Sequence, residues 1–464
     1  MLLILFSCST NDPQDTANLD GMSKTSVSLT DKTDPNTFAT AKECGSCHPT
    51  EYSEWRESMH AYAIHSPVFQ AMSQKAFRDS SGEVDDFCSS CHSPMGTLIG
   101  EGPNVPPSER SNIGKESVTC VTCHAAIAQE HPIGNLSLVW SLEDIVFGPF
   151  DDVSSDSHDS LQSDLLTSPQ LCGSCHDVFN YPSLRIEEAY TEYATSPAYL
   201  ENITCQDCHM SKTPGVPSDK IISPIAETSG NIYPAREMSS HRFVGPDYSL
   251  LDTFPYPDDL EKSAQAQQEQ VLRIEELLQN AVMISDISTN NTEDSYSFSI
   301  TLQSLTSGHN VPTGFTSERQ LWIEVLVFSD ENILFSSGTL DSNSDLYDEH
   351  SWDVVQNSNL LDNQLVNLQS KNLIRHGEVI DYAEIETTIF PFDADYIYKM
   401  SIPPLESRTY DYNFSSTDTP TRIEAKLRYR NLPPYVLRVL QLDEYTSKLK
   451  IFDIDSKNIS WTTP

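Results

Sequence analysis

The chain reads Cys44-Gly45-Ser46-Cys47-His48, and it repeats this Cys-x-x-Cys-His pattern at Cys88-Ser89-Ser90-Cys91-His92, Cys120-Val121-Thr122-Cys123-His124, Cys172-Gly173-Ser174-Cys175-His176 and Cys205-Gln206-Asp207-Cys208-His209. Two cysteines at this spacing can both bond to the vinyl groups of one porphyrin, and the histidine that follows can bind the iron. The runs therefore predict five covalently attached haem c groups. We number these positions sites 1 to 5 in chain order.

Three other uses of paired cysteines account for the pattern less well. Zinc sites and thioredoxin-type redox sites share the Cys-x-x-Cys spacing, but neither requires a histidine directly after the second cysteine. Ten cysteines could also form disulfides, which would leave the five histidines unexplained. Ten of the eleven cysteines belong to the runs, so that only Cys8 is left over.

The chain opens with Met1-Leu2-Leu3-Ile4-Leu5-Phe6-Ser7-Cys8, which is far shorter than the ~20 apolar residues that span a bilayer. This segment resembles the end of a bacterial lipoprotein signal, in which Cys8 would become the lipid-anchored first residue. An ordinary secretory signal with an incidental cysteine is the alternative. Both interpretations predict export to the periplasm or the outer membrane, where bacteria attach haem c.

Composition divides the chain into five segments. Residues 1–8 are the lipoprotein-type signal, and residues 9–36 are polar enough to form a disordered tether. Residues 37–258 hold all five sites and are predicted to be mainly α-helical and irregular, since so little protein lies between sites that the porphyrins must supply much of the interior. Residues 259–281 carry apolar side chains at helical spacing and predict a long linking helix.

Residues 282–464 change to an alternating pattern. Tyr296-Phe298-Ile300-Leu302 and Leu321-Ile323-Val325-Val327 each place apolar residues at every second position. Several such runs with turns between them predict an all-β, sandwich-like domain. No cysteine follows Cys208, so this domain attaches no haem covalently, although it can still donate a ligand.

The charge is strongly acidic, with 68 acidic and 28 basic residues and a formal net charge of -40. This balance excludes nucleic acid as a partner, because the phosphate backbone would be repelled. Solubility alone would explain the charge. Steering towards a basic redox partner protein would explain it equally well.

Electron-transfer haems usually take a second axial ligand. Of thirteen histidines, five belong to the runs, and the remaining eight are His60, His65, His131, His158, His241, His309, His350 and His376. Five irons in need of partners make ligation a realistic role for these residues. Methionine is the other common ligand for haem iron.

Two segments resemble multihaem cytochromes c related to the tetrahaem electron-transfer cytochrome of ammonia-oxidising bacteria. They are Tyr52-Ser53-Glu54-Trp55-Arg56-Glu57-Ser58-Met59-His60-Ala61 and Gly308-His309-Asn310-Val311-Pro312-Thr313-Gly314. The resemblance covers patches between Ala41 and Gly314. It implies that His60 and His309 ligate haem irons, with His309 offered by the β-domain. His158 and His241 also fit distal positions of that family.

The sequence leaves the identity of the fifth distal ligand undecided between several residues. His131 follows His124 too closely to reach the other face of its own haem easily, but it could serve a neighbour. His65 points to a different side of any helix from His60, and Met95 and Met210 are further options. One iron could also remain five-coordinate.

Three functions follow from these observations. Closely spaced haems with two axial ligands would carry electrons between redox partner proteins, without catalysis of their own. A five-coordinate haem would instead support a reductase or oxidase of a small nitrogen or sulfur compound. The Cys-x-x-Cys-Lys motif of a lysine-ligated catalytic haem does not occur. The third hypothesis is a binding or adhesion role for the β-domain.

Overall fold

The computed structural model describes residues 26–462, apart from residues 30, 132, 181–182, 218–219, 229–230, 292–294 and 376–384. The predicted signal with Cys8, most of the predicted tether and His376 lie outside the described residues.

Short helices and small sheets make up the region that carries the five sites. The helices are α1 (Ala41–Cys44), α2 (Pro49–Arg56), α3 (Met59–Tyr62), α4 (Pro67–Asp79), α5 (Phe87–His92), α6 (Pro94–Leu98), α7 (Asn112–Lys115), α8 (Cys120–His124), α9 (Asp164–Thr167), α10 (Pro169–Gly173), α11 (Ala189–Ala194), α12 (Pro197–Leu200) and α13 (Cys205–His209). The strands are β1 (Ser26–Val27), β2 (Ala126–Gln129), β3 (Leu138–Ser141), β4 (Ile145–Gly148), β5 (Asp159–Gln162), β6 (Val178–Phe179), β7 (Arg185–Glu187), β8 (Ile221–Pro224), β9 (Glu227–Thr228), β10 (Asn231–Ile232) and β11 (Ala235–Met238).

The attachment runs lie on or beside helical turns for a geometric reason. A helix places residues i, i+3 and i+4 on one face, so both cysteines and the histidine of a run point to the same side. α5, α8 and α13 each contain a complete run, whereas the first and fourth runs begin at the ends of α1 and α10. Capping boxes at Thr40 and Thr204 fix the starts of α1 and α13.

The 20-residue helix α14 (Leu260–Gln279) leads into a β-rich region. Its strands are β12 (Val282–Asn291), β13 (Tyr296–Ser304), β14 (Gln320–Ser329), β15 (Asn332–Ser337), β16 (Lys371–Arg375), β17 (Ile385–Thr388), β18 (Tyr396–Tyr398), β19 (Ser407–Phe414), β20 (Arg422–Arg430) and β21 (Phe452–Ser460), with α15 (Trp352–Gln356) and α16 (Pro434–Val439) between them. They form antiparallel sheets in the orders β12-β13-β19, β15-β14-β20-β21 and β17-β16-β18.

The main hydrophobic core lies between the sheet β12-β13-β19 and the sheet β15-β14-β20-β21. Ile300 and Leu302 of β13 and Ile323 and Val325 of β14 are fully buried, as their alternating pattern predicted. Ile274 of α14 joins the same cluster. The long helix therefore ties the β-rich region to the chain that precedes it.

The coarse fold prediction is confirmed: a helical and irregular part with five attachment runs precedes a β-rich part, and α14 matches the predicted linking helix. The predicted tether is wrong at its C-terminal end. Ser26 and Val27 pair with Ser141 and Trp140 of β3, and Val27 is buried. Val27 and Leu29 are apolar residues within an otherwise polar segment, and both pack into the hydrophobic cluster around Trp140. Among the described residues, no helix combines the length and apolarity needed to cross a membrane.

Candidate haem-binding site

One cavity of about 2380 Å³ is lined by every cysteine and histidine of the five runs. Pockets for one small ligand measure roughly 300–1,000 Å³, so this cavity has room for several large groups. The ten cysteines form no disulfides, and phenylalanine, leucine and valine side chains make up much of the wall. Free thiols, imidazoles and an apolar wall are the residues that covalently attached haem c requires.

We call the histidine that ends each Cys-x-x-Cys-His run the proximal histidine of its site. The Nδ1 atom of each one is hydrogen-bonded to an acceptor, which leaves Nε2 free to face the cavity. Four of them contact a backbone carbonyl: His48 with Ile225 at 2.8 Å, His92 with Ala63 at 3.4 Å, His124 with Phe147 at 2.7 Å and His209 with Val244 at 2.8 Å. His176 instead contacts the carboxylate of Glu187 at 3.2 Å. Such contacts fix the tautomer and the orientation of a ligating imidazole.

Three of the predicted distal histidines face a proximal histidine across the cavity. The ring centres of His241 and His124 are 6.2 Å apart. Those of His60 and His176 are 6.4 Å apart, and those of His309 and His209 are 6.1 Å apart.

These separations match the requirement of a shared iron. With a metal–nitrogen bond of about 2 Å and a ring centre roughly 1 Å beyond the nitrogen, two imidazoles on opposite sides of one metal have ring centres about 6 Å apart. The pairs place His241 opposite the histidine of site 3, His60 opposite that of site 4 and His309 opposite that of site 5.

Burial keeps these three imidazoles neutral. It lowers the pKa of His60 to about 3 and the pKa values of His241 and His309 to about 4, with neighbouring histidines adding to the effect. A neutral imidazole is the form that binds a metal. At physiological pH all three side chains are thus ready to act as ligands.

His158 lies beside site 1. Burial lowers the pKa of His48, although the hydrogen bond that its Nδ1 atom donates to the Ile225 carbonyl oxygen raises it, and the nearby His158 lowers it further. The Nδ1 atom of His158 is 3.1 Å from the carbonyl oxygen of Asp159. His158 lowers the pKa of His124 in site 3 as well, so it lies near both sites, and His241 already faces His124.

Site 2 is different, because an aromatic ring rather than a second imidazole lies against its histidine. Phe69 stacks on His92 with ring centres 3.9 Å apart. His65 is turned away, since its Nε2 atom contacts the carbonyl oxygen of Lys115 at 2.7 Å. Among the described residues, no histidine is paired with His92 as in the three pairs above.

The other options for the fifth ligand also lie elsewhere. Met95 is fully buried in a hydrophobic cluster that packs against Cys91 and Cys175, and it does not line the cavity, while His131 is exposed at the surface. Met210 lines the cavity, but it directly follows the proximal histidine of site 5. His350 stacks on Tyr435 within the β-rich region.

The turn that presents His309 is held by the haem-bearing half of the chain. Glu192 of α11 accepts hydrogen bonds from the backbone and side-chain amides of Asn310, at 3.2 and 2.8 Å, and from the Thr313 hydroxyl at 2.6 Å. The amide of Ala198 also donates to the Ser307 carbonyl at 3.1 Å. Glu192 therefore holds the turn that carries His309.

Glu192→Ala should loosen that ligand. The change removes three hydrogen bonds to a buried carboxyl group, so we expect docking of the turn to weaken by roughly 3 kcal/mol. Part of the haem at site 5 should then become high-spin, and the fraction should rise with temperature in visible and electron paramagnetic resonance (EPR) spectra. Glu201→Ala, an exposed change nearby, should leave the spectra unaltered. Equal spectra for both variants would contradict this role.

Contacts between cysteines order the sites in space. The thiols of Cys44 and Cys120 are close enough to shift each other's pKa, as are those of Cys91 and Cys175 and those of Cys172 and Cys205. Site 1 thus adjoins site 3, and site 4 adjoins sites 2 and 5. The thiol of Cys123 in site 3 also acts on both cysteines of site 4. Site 4 is therefore the branch point of the cluster.

Three residues that contact the paired histidines or their turns could not be identified from the sequence. The ring of Phe243 lies 4.4 Å from that of His60 and 5.7 Å from that of His241, between two distal ligands. Glu187 and Glu192 contact ligands or their turns from α11 and the strand before it. None of these residues has a motif or spacing of its own, and each acts through contacts between distant segments.

Comparison with known proteins agrees with this geometry. Residues 43–125 match the family model described as "Cytochrome c554 and c-prime". The fold resembles the crystal structure of a penta-heme cytochrome c552 from Thermochromatium tepidum, with a TM-score of 0.60, 16% identity and coverage of 92% of this chain and 100% of that chain. No curated protein sequence matches at a significant level. The family match includes the first three Cys-x-x-Cys-His runs, and the structural match shows a likeness of fold.

Proposed function

We propose that this protein is an electron carrier that holds five haem c groups, with paired histidine ligands at four of them. The observation that carries the proposal is the set of three imidazole pairs with ring centres 6.1 to 6.4 Å apart. Haems with two strong ligands exchange electrons without opening a position to substrate, and this is the chemistry that the bound groups would supply.

The chain's own residues prepare each site for this role. His158, His241, His60 and His309 would complete sites 1, 3, 4 and 5. Carbonyl oxygens orient most of the proximal imidazoles, so that little rearrangement accompanies a change of iron charge. The contacting thiols bring neighbouring sites close enough for electrons to pass from one to the next.

The remainder of the proposal concerns location and partners. The -40 charge suits a basic redox partner such as a small cytochrome, because complementary charge speeds encounter. Export to the periplasm or the outer membrane, with a lipid anchor at Cys8, would place the carrier among such partners. The β-rich region, as a sandwich over site 5, would act as a ligand donor and cover.

A reductive titration followed by visible and EPR spectroscopy tests this function. We expect at least four low-spin haems that are reduced and reoxidised reversibly. Electron transfer to a basic cytochrome should slow as salt is added, since screening removes the charge steering. Haems that cannot be cycled, or a majority of high-spin iron, would contradict the carrier.

Site 2 supports a second candidate, a reductase or oxidase of a small nitrogen or sulfur compound. The observation that favours it is the stacking of Phe69 on His92 while His65 is bound to Lys115. Adding cyanide or nitric oxide to the protein tests this candidate. A high-spin signal that either probe removes would support an open iron at site 2, whereas five unaltered low-spin signals would exclude it.

A further inference from the structure

The proximal histidine of site 4 has a partner unlike those of the other four. At the other sites, the Nδ1 atom faces a neutral backbone carbonyl. At site 4, His176 donates to the Glu187 carboxylate, 3.2 Å away. A carboxylate acceptor makes a ligating imidazole more basic than a carbonyl does.

The fold holds Glu187 firmly in this place. It ends β7, where it pairs with Val178 of β6, two residues after His176. Its side chain is 9% exposed. The short β6-β7 hairpin therefore brings Glu187 back against His176, which lies just before the hairpin in the chain.

Among the described residues, no lysine or arginine lies within ion-pair distance of Glu187. Its neighbour Asp177 is paired with Arg185 at 2.9 Å, and Glu188 is paired with Lys399. For Glu187, the only ionic contact among the described residues is His176 itself. A negative charge thus lies beside His176. The buried guanidinium of Arg319 is close enough to feel this charge, but it is ion-paired with Asp247 at 2.9 Å.

Its field also extends beyond site 4. The charge of Glu187 acts on His92 and Cys91 of site 2 and on Cys175 of site 4. Site 4 is the branch point of the cluster, and site 2 adjoins it. In the part of the chain that the structure describes, the Nδ1 atoms of the histidines of sites 1, 3 and 5 contact backbone carbonyls and no carboxylate.

We propose that Glu187 is a positioning residue that lowers the reduction potential of the haem at site 4. Reduction adds one electron and removes one positive charge from the iron, without a proton. A nearby carboxylate and a more basic ligand both favour the oxidised, more positive state. Electrons would therefore cross site 4 but rest on its neighbours. This inference deepens the proposed electron-carrier function and rests on it.

Potentiometric titration of Glu187→Gln tests the proposal. Glutamine keeps an acceptor but loses the charge, so one potential should shift to a more positive value, while the number of low-spin haems stays the same. Glu188→Gln deletes the same charge one residue along, where Lys399 offsets it, and should produce a clearly smaller shift. Equal shifts in both variants, or none in Glu187→Gln, would overturn the proposal.

A second measurement covers the case in which Glu187→Gln fails to mature. His60→Ala should turn the haem at site 4 high-spin and so identify which potential belongs to that site. In the unmodified protein this potential should be the lowest or next to lowest of the set, and a value at the upper end would overturn the proposal. Failure of the unmodified protein to cycle electrons would instead refute the carrier function.

Discussion

His309→Ala should convert the haem at site 5 from low-spin to high-spin. The ring of His309 lies 6.1 Å from that of His209, and burial keeps it neutral. Removing the imidazole leaves one side of that iron without its ligand, and alanine cannot replace it. EPR spectra should therefore lose the low-spin intensity of one haem and gain a high-spin signal. Added imidazole should restore the original spectrum.

His350→Ala is the matched control for this experiment. His350 lies in the same β-rich region, but it stacks on Tyr435 with ring centres 4.1 Å apart. Its removal should leave all haem signals in place. An unchanged spectrum in His309→Ala would mean that the β-rich region supplies no ligand.

His60→Ala should have the largest effect on the whole cluster, because its partner belongs to the branch point. The ring centres of His60 and His176 are 6.4 Å apart, and site 4 adjoins sites 2, 3 and 5. Loss of the ligand makes one haem high-spin. It should also slow electron equilibration between sites 1 and 3 on one side and site 5 on the other, as measured by rapid-mixing absorbance kinetics.

Two outcomes would separate the parts of this prediction. A spectrum with no new high-spin signal would show that His60 is not a ligand. A high-spin signal with unchanged equilibration kinetics would show that electrons pass around site 4. His131→Ala, which changes an exposed side chain whose ring contacts the Ile133 carbonyl, should alter neither measurement.

The attachment sites could be predicted from sequence because their chemistry is local. One porphyrin fixes the spacing of two thiols and an imidazole, and a single helical turn places them on one face. Alternation of apolar residues likewise revealed β13 and β14, because strand side chains repeat with period two. These features need no knowledge of distant contacts.

The pairing of ligands with sites could not be predicted in the same way. Resemblance to a family pointed to His60 and His309, but it did not say which iron each one faces. His241 meets His124 only because Glu54 of α2 binds the backbone amide of His241 at 2.7 Å. The orientation of His65 likewise depends on a distant contact, because its ring is hydrogen-bonded to the carbonyl of Lys115, which lies far along the sequence. The position of Glu187 depends on the short β6-β7 hairpin, which no alternating pattern of apolar residues in the sequence indicates.

The unequal distribution of apolar side chains has a consequence for biogenesis. The large hydrophobic cluster belongs to the β-rich region, whereas the haem-bearing half has only small clusters around Trp140 and Trp55. In that half the 2380 Å³ cavity takes the place of a core. We therefore expect the leading half to need cofactor attachment to complete its fold, while most of the trailing half can fold around its own core. The supply of haem would then set how much of the newly made chain survives proteolysis.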